Sequence, residues 1–117
     1  MRVVFVCAGN ICRSPYAEAV ARRDCAVAGV EFESAGLSAL SGNRATDEAL
    51  AVASERGLDL SAHRAQPLTP ELEASADLVV DLRERVFDPY GGGESAYRSA
   101  YDAIDIEVAS VLEGLRR

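Results

Sequence analysis

The feature that most constrains this chain is the passage from Arg2 to Pro15, RVVFVCAGNICRSP. A β-branched and aromatic run, Arg2–Cys7, reads as a buried strand. Within a few residues it gives way, through Gly9-Asn10, to alanines and Val20 recurring at helical spacing until about Val27. Ser14 is suited to cap that helix and Pro15 to its first turn. The alternation continues. Val30–Ser34 reads as a second strand ended by Ala35-Gly36, and Thr46 caps a helix over DEALAVASER that Gly57 stops. Leu58–Leu68 is irregular, Thr69-Pro70-Glu71 opens a short helix, and Asp77–Leu82 is a third strand. Arg83–Gly93 is a loop before a last helix from Glu94 to about Leu115, with Tyr97, Tyr101, Ile104, Val108, Val111 and Leu115 lining one side. Strands alternating with helices predict an α/β fold with a parallel sheet. Right-handed crossovers then bring the C-terminal ends of all strands, Cys7 among them, to the edge where open α/β sheets bind ligands.

At 117 residues the chain is expected to form one domain, residues 1–117. Its apolar runs are too short to span a membrane, and the five apolar residues after Met1-Arg2 are too few for a secretory signal. Three cysteines cannot form a complete disulfide framework, so a reducing cytoplasm is the expected location. A formal charge of −7 argues against nucleic acid and anionic membranes as partners. An anionic substrate would have to be held by a local field.

Strand, glycine-bearing turn and helix together supply that field. Backbone N–H groups of the turn and of the helix N-terminus point into one concavity, and the helix dipole adds to it. A thiol at its start is stabilised as the thiolate, since cysteine pKa values at helix N-termini fall to roughly 3.5–7.5. Six residues on, Arg13 offers a planar fork matched to two phosphate oxygens. An isolated cysteine is more often buried packing than a nucleophile. Here the glycine, asparagine, arginine and Ser14-Pro15 around Cys7 favour chemistry.

The motif CAGNICRSP resembles the nucleophile loop of the low-molecular-weight protein tyrosine phosphatases, in which Cys, four residues and Cys-Arg-Ser follow one another with Gly-Asn inside. FESAG, LDLSAHRAQPLT, SADLVV and DPYGG resemble further family segments, so the similarity covers nearly the whole chain. It implies a phosphotyrosine phosphatase I-like fold: three layers, with helices flanking a small parallel sheet. It implies Cys7 as nucleophile, Arg13 as clamp on the phosphoryl oxygens and Asp88 as general acid. Backbone groups of Ala8, Gly9, Asn10, Ile11 and Cys12 would bind substrate, with the Ser14 hydroxyl serving the thiolate and Tyr90 forming an aromatic wall. Ser34 and His63, with Asn10, would brace the loop; the lone histidine is then scaffold. Cys12 is either packing or a thiol that captures oxidised Cys7. Cys25 is expected to be helix packing. No metal or other cofactor is implied, and the implied partner is a phosphorylated protein or peptide.

The chain departs from the family between ADLVV and DPY, where members place a further helix and a fourth strand. Without that crossover the expected sheet has three strands ordered 2-1-3. Removing it joins two points on the same edge, so Asp88 can still arrive over Cys7. The third strand becomes an exposed edge. Asp81 and Arg83-Glu84-Arg85 are expected to blunt it, or the last helix and the Arg83–Pro89 loop to shield it; a homodimer is the other expectation. The loop Leu37–Arg44 lacks an aromatic, and Gly91 follows Tyr90 where many tyrosine phosphatases have a second one. Phosphotyrosine is the leading substrate. Phosphoarginine is the alternative, because the chain also resembles the bacterial branch containing arginine phosphatases, which carry threonine where Ile11 stands; Ile11 suits an aryl ring instead. Arsenate reduction, or phosphate binding without turnover, rank below.

Overall fold

The computed structural model describes every residue, Met1–Arg117. Its elements are β1 (Arg2–Cys7), α1 (Arg13–Asp24), β2 (Glu31–Gly36), α2 (Asp47–Glu55), α3 (Pro70–Ser75), β3 (Leu78–Asp81) and α4 (Gly93–Leu115). The three strands form one sheet in the order β2-β1-β3, parallel throughout. The expected α/β class, strand count and order are thus observed.

β1 is the centre of everything that follows. Val3, Val4, Phe5, Val6 and Cys7 are all buried, because the strand is flanked on both edges and covered on both faces. Val3 and Phe5 enter the main core with α1, α2 and α4, while Val4 and Val6 join Ala35 under Leu68, Leu72 and Ala76. A strand covered on both faces reads as a continuous apolar run rather than an alternating one. The sheet is thus the middle of three layers, with α3 on the thinner side.

Thr46 and Thr69 cap α2 and α3, accepting from the N–H groups of Ala49 and Leu72 at 3.1 Å each. Each such cap contributes about 1 kcal/mol. The cap assigned to Ser14 is a correction. The cap falls two residues earlier: Cys12 is the N-cap of α1 without a side-chain bond, and Ser14 lies inside the first turn with its hydroxyl directed to Cys7 and Asn10. The helix also stops at Asp24 rather than Val27, with Cys25 already extended just past its end. β2 runs two residues further than its alternating pattern, because Ala35 and Gly36 pair with Val6 and Cys7. Beyond them, the irregular segment lays Pro67 against Gly36 as a single parallel bridge. Along α4, Tyr97, Tyr101, Ile104 and Val108 are buried as expected, whereas Val111 and Leu115 are only half-buried near its end.

The free edge is β3. Leu78 is 39 % exposed and Val79 37 %, although they point to opposite faces of the sheet. The charges expected to blunt this edge are engaged locally: Arg83 pairs with Asp81 at 2.9 Å and Arg85 with Glu107 of α4 at 3.3 Å. No helix of the chain is long and apolar enough to cross a membrane.

Candidate active site

The loop from Cys7 to Arg13 owes its shape to carbonyl groups held from outside. Cys7 O accepts from Leu37 N at 3.1 Å, Ala8 O from Ser38 N at 2.9 Å and Ile11 O from Thr46 N at 3.1 Å. Asn10 O accepts from His63 Nε2 at 2.7 Å, and Cys12 O from the Tyr101 hydroxyl at 2.8 Å. With the carbonyls committed outward, the N–H groups from Ala8 to Cys12 have no acceptor in the protein. Consecutive unpaired N–H groups of this kind make an anion-binding nest. The loop rests directly on Gly36. A Cβ there would sit 2.6 Å from Ala8 O and 2.9 Å from Asn10 N, so no larger residue fits without displacing the nest.

Asn10 is the keystone of the turn. It alone among non-glycine residues has positive φ, at 56°, a conformation that asparagine tolerates better than most. Its fully buried side chain donates to Ser14 Oγ at 2.8 Å and Ser34 Oγ at 3.0 Å, and accepts from Gln66 N at 2.9 Å. Because Ser14 Oγ accepts from Asn10, its own hydrogen is free to point at Cys7 Sγ, 3.0 Å away. Asn10, Ser34 and His63, singled out from the sequence, thus converge on one network.

Arg13 is buried, and its three nitrogens have different fates. Nη1 donates to Val86 O at 2.8 Å, Nη2 lies 3.8 Å from Asp88 Oδ2, and Nε is buried with no partner. An unsatisfied donor on a buried cation costs about 1–3 kcal/mol, which an anion in the nest would relieve. Asp88 is half-exposed and its other oxygen accepts from Tyr90 N at 3.0 Å. Cys7, Ala8, Gly9, Ile11, Cys12, Arg13, Ser38, Asp88 and Tyr90 line a cleft of about 240 Å³. A larger one, about 420 Å³ between the C-terminal ends of α1 and α4, contains no comparable nest.

Several members of this site were not found by sequence reasoning. Glu18 accepts from Ser34 Oγ and pairs with Arg22 at 2.6 Å; burial raises its pKa, with the serine bond and Arg22 opposing. Its signal was available, since Glu18 lies one helical turn beyond Ser14. Gln66 also donates to Ser34 O at 2.9 Å. Tyr97 OH sits 3.2 Å from Cys12 Sγ and accepts from Thr46 Oγ1 at 2.8 Å. Burial pushes the Cys12 thiol up to about 11, with the Tyr97 contact opposing. Ser38 and Val86 carried no sequence signal.

Comparison with known proteins accords with this geometry. Residues 2–87 match the family model described as "Low molecular weight phosphotyrosine protein phosphatase". The chain is 49% identical over 78 residues to the probable low molecular weight protein-tyrosine-phosphatase EpsP of Ralstonia solanacearum, covering 67% of this chain and 52% of that protein. It is 30% identical to the protein-arginine-phosphatase of Bacillus subtilis, covering 100% of this chain and 98% of that protein over 148 aligned positions. The chain matches about half the length of EpsP. Among solved structures, the YwlE arginine phosphatase from Geobacillus stearothermophilus superposes with a TM-score of 0.88 at 30% identity, covering 98% of this chain and 92% of that one. The Erwinia amylovora tyrosine phosphatase amsI gives 0.90 at 26% identity, covering 99% and 93%.

Proposed function

Because this chain belongs to the low molecular weight phosphotyrosine protein phosphatase family, we propose that it hydrolyses phosphotyrosine in proteins or peptides through a cysteinyl-phosphate intermediate. The observation that carries this reading is the nest of unpaired N–H groups beside Cys7, with the buried Arg13 Nε lacking a partner. The nest and Arg13 hold three phosphoryl oxygens. Cys7 Sγ, steadied by the Ser14 hydroxyl, attacks phosphorus and forms the S–P bond. As the P–O bond to the aryl group breaks, Asp88 gives the leaving oxygen its proton. The Asp88 carboxylate then takes a proton from water, which attacks phosphorus and breaks the S–P bond, releasing inorganic phosphate and the Cys7 thiolate. The bonds formed and broken balance without a metal or redox partner.

Tyr90, exposed at the cleft mouth, and Ile11, half-buried in its wall, suit an aryl ring. Relatives named as arginine phosphatases favour phosphoarginine as the second reading; against it, Ile11 offers no hydrogen bond to a guanidinium. Arsenate reduction needs a resolving thiol delivered after β3, and no cysteine follows Cys25. The three free thiols suit a reducing cytoplasm. A second copy pairing along the exposed β3 edge is the assembly this reading includes, and a monomer at all micromolar concentrations in sedimentation would remove it. The deciding assay compares phosphotyrosine and phosphoarginine peptides of one sequence. Preference for phosphotyrosine by at least about tenfold in kcat/KM is expected, within the range a single pocket contact gives; the reverse preference would overturn the assignment.

A further inference from the structure

The segment joining β3 to the acid is short, and its few anchors converge on one residue. Leu82 N bonds Val6 O at 2.8 Å, extending the sheet contact, and Val86 N bonds Leu82 O at 3.0 Å, closing one helical turn. Both side chains are buried in the main core, Leu82 fully and Val86 nearly so. Outside them Arg85 pairs with Glu107 of α4 at 3.3 Å. From the buried valine the backbone carbonyl reaches Arg13 Nη1 at 2.8 Å. Two residues on, the Asp88 carboxylate lies 3.8 Å from Nη2 of the same guanidinium.

The Arg13 guanidinium is planar, tethered through its side chain, buried, and bonded at Nη1, which leaves it little freedom to turn. The Val86 carbonyl therefore sets which way Nε and Nη2 face, while the Val86 side chain, wedged in the core, sets where the chain carrying Asp88 leaves the surface. We propose that Val86 is a positioning residue that couples the two halves of the site: one buried valine aligns the oxyanion clamp through its carbonyl and the general acid through its place in the chain. The proposal rests on the hydrolytic reading above only for its second half. Orientation of Arg13 toward an anion is measurable without turnover.

Val86→Ala keeps the carbonyl and removes the wedge. Inorganic phosphate is the probe for the clamp, through the concentration that protects Cys7 from iodoacetate. A series of aryl phosphates with leaving groups of rising pKa probes the acid. Since misplacement by about 1 Å costs up to ~10²-fold, a loss of order tenfold is expected in each readout. Phosphate protection should need about tenfold more phosphate. kcat/KM should fall about tenfold for the most basic leaving group and little for the most acidic, steepening the leaving-group dependence. Val86→Ile should recover both. Val108→Ala, which removes buried apolar volume from α4, should lower the melting temperature comparably and move neither readout. If Val86→Ala melts earlier but keeps wild-type phosphate protection and leaving-group slope at a temperature where it is folded, Val86 is packing only and the coupling is refuted. If the unmodified chain binds phosphate but turns nothing over, the hydrolytic reading fails, and the phosphate shift alone decides whether Val86 aligns Arg13.

Discussion

The two halves of the cleft are built in opposite ways. The loop from Cys7 to Ser14 is tied to its surroundings at nearly every residue, by five outward carbonyls and the buried side chain of Asn10. The segment from Leu82 to Tyr90 is tied at a few points, Leu82, Arg85 and Val86, and leaves the Asp88 and Tyr90 side chains largely in solvent. The difference matches the tasks proposed for them. A nest must keep its donors unpaired and aligned before the anion arrives, since preorganised dipoles cost no reorganisation when charge develops. A general acid has to reach the leaving oxygen, take up a proton and exchange with water, which a half-exposed carboxylate can do.

The largest expected effect breaks the loop side. Asn10→Ala removes the bonds to Ser14, Ser34 and Gln66 and forces an alanine to positive φ. Lost bonds of about 1 kcal/mol each, plus strain, predict a destabilisation of roughly 2–4 kcal/mol. Thermal melting checks that, and kcat/KM on an aryl phosphate should fall about 10²–10³-fold as the nest loses its shape. A stable, active Asn10→Ala would mean the loop is held by its carbonyl contacts alone.

The next effect isolates the other side. Asp88→Asn should lower kcat/KM, which reports the step that expels the leaving group, by about 10²–10⁴-fold for basic leaving groups, the range for a positioned acid, with less loss for leaving groups that need no proton. Melting should barely change, because the side chain is half-exposed. Equal losses across the leaving-group series would remove Asp88 from the acid role and leave Asp81 as the next candidate. Arg83 holds the Asp81 carboxyl below the usual range, which suits it less as a proton donor.

The smallest effect sharpens the comparison through pH. The Cys12 thiol is pushed up from 9.0 to about 11 by burial. A folded-state pKa above the unfolded one means the folded state holds its proton more tightly. The resulting stability is fully present below about pH 9 and lost as pH rises through about 11. Urea titrations should therefore show stability falling over that window, and Cys12→Ala should flatten the part of the slope due to Cys12, about 1–2 kcal/mol. An unchanged slope would place the alkaline loss on Tyr16, whose hydroxyl is likewise raised, to about 12, and on Tyr97 and Tyr101.

Legibility from the sequence follows the same division. The loop could be read because its chemistry is local: cysteine, glycine, asparagine and arginine stand within seven residues, and a strand-to-helix turn fixes their relation. Ser34 and His63 were found through resemblance, since nothing local announces that they meet Asn10. Ser14 was misread as a cap because a serine before a helical run has two uses, and only the tertiary position of Cys7 decides between them. The sequence places Tyr97 on the apolar side of the last helix but gives no sign that it, or Val86, reaches the loop. Their roles come from where α4 and the shortened connection pack, and a buried valine or tyrosine in an apolar stripe looks the same whether or not a carbonyl or hydroxyl beside it reaches the site.

The account stands or falls on a covalent intermediate at Cys7. Asp88→Ala mixed with an aryl phosphate, quenched in acid within a turnover and digested, should yield one phosphoryl group on the peptide carrying Cys7, formed in step with one equivalent of released aryl alcohol. No phosphopeptide, with phosphate released in step with the alcohol from the first turnover, or a phosphoryl group on any other residue, would contradict it.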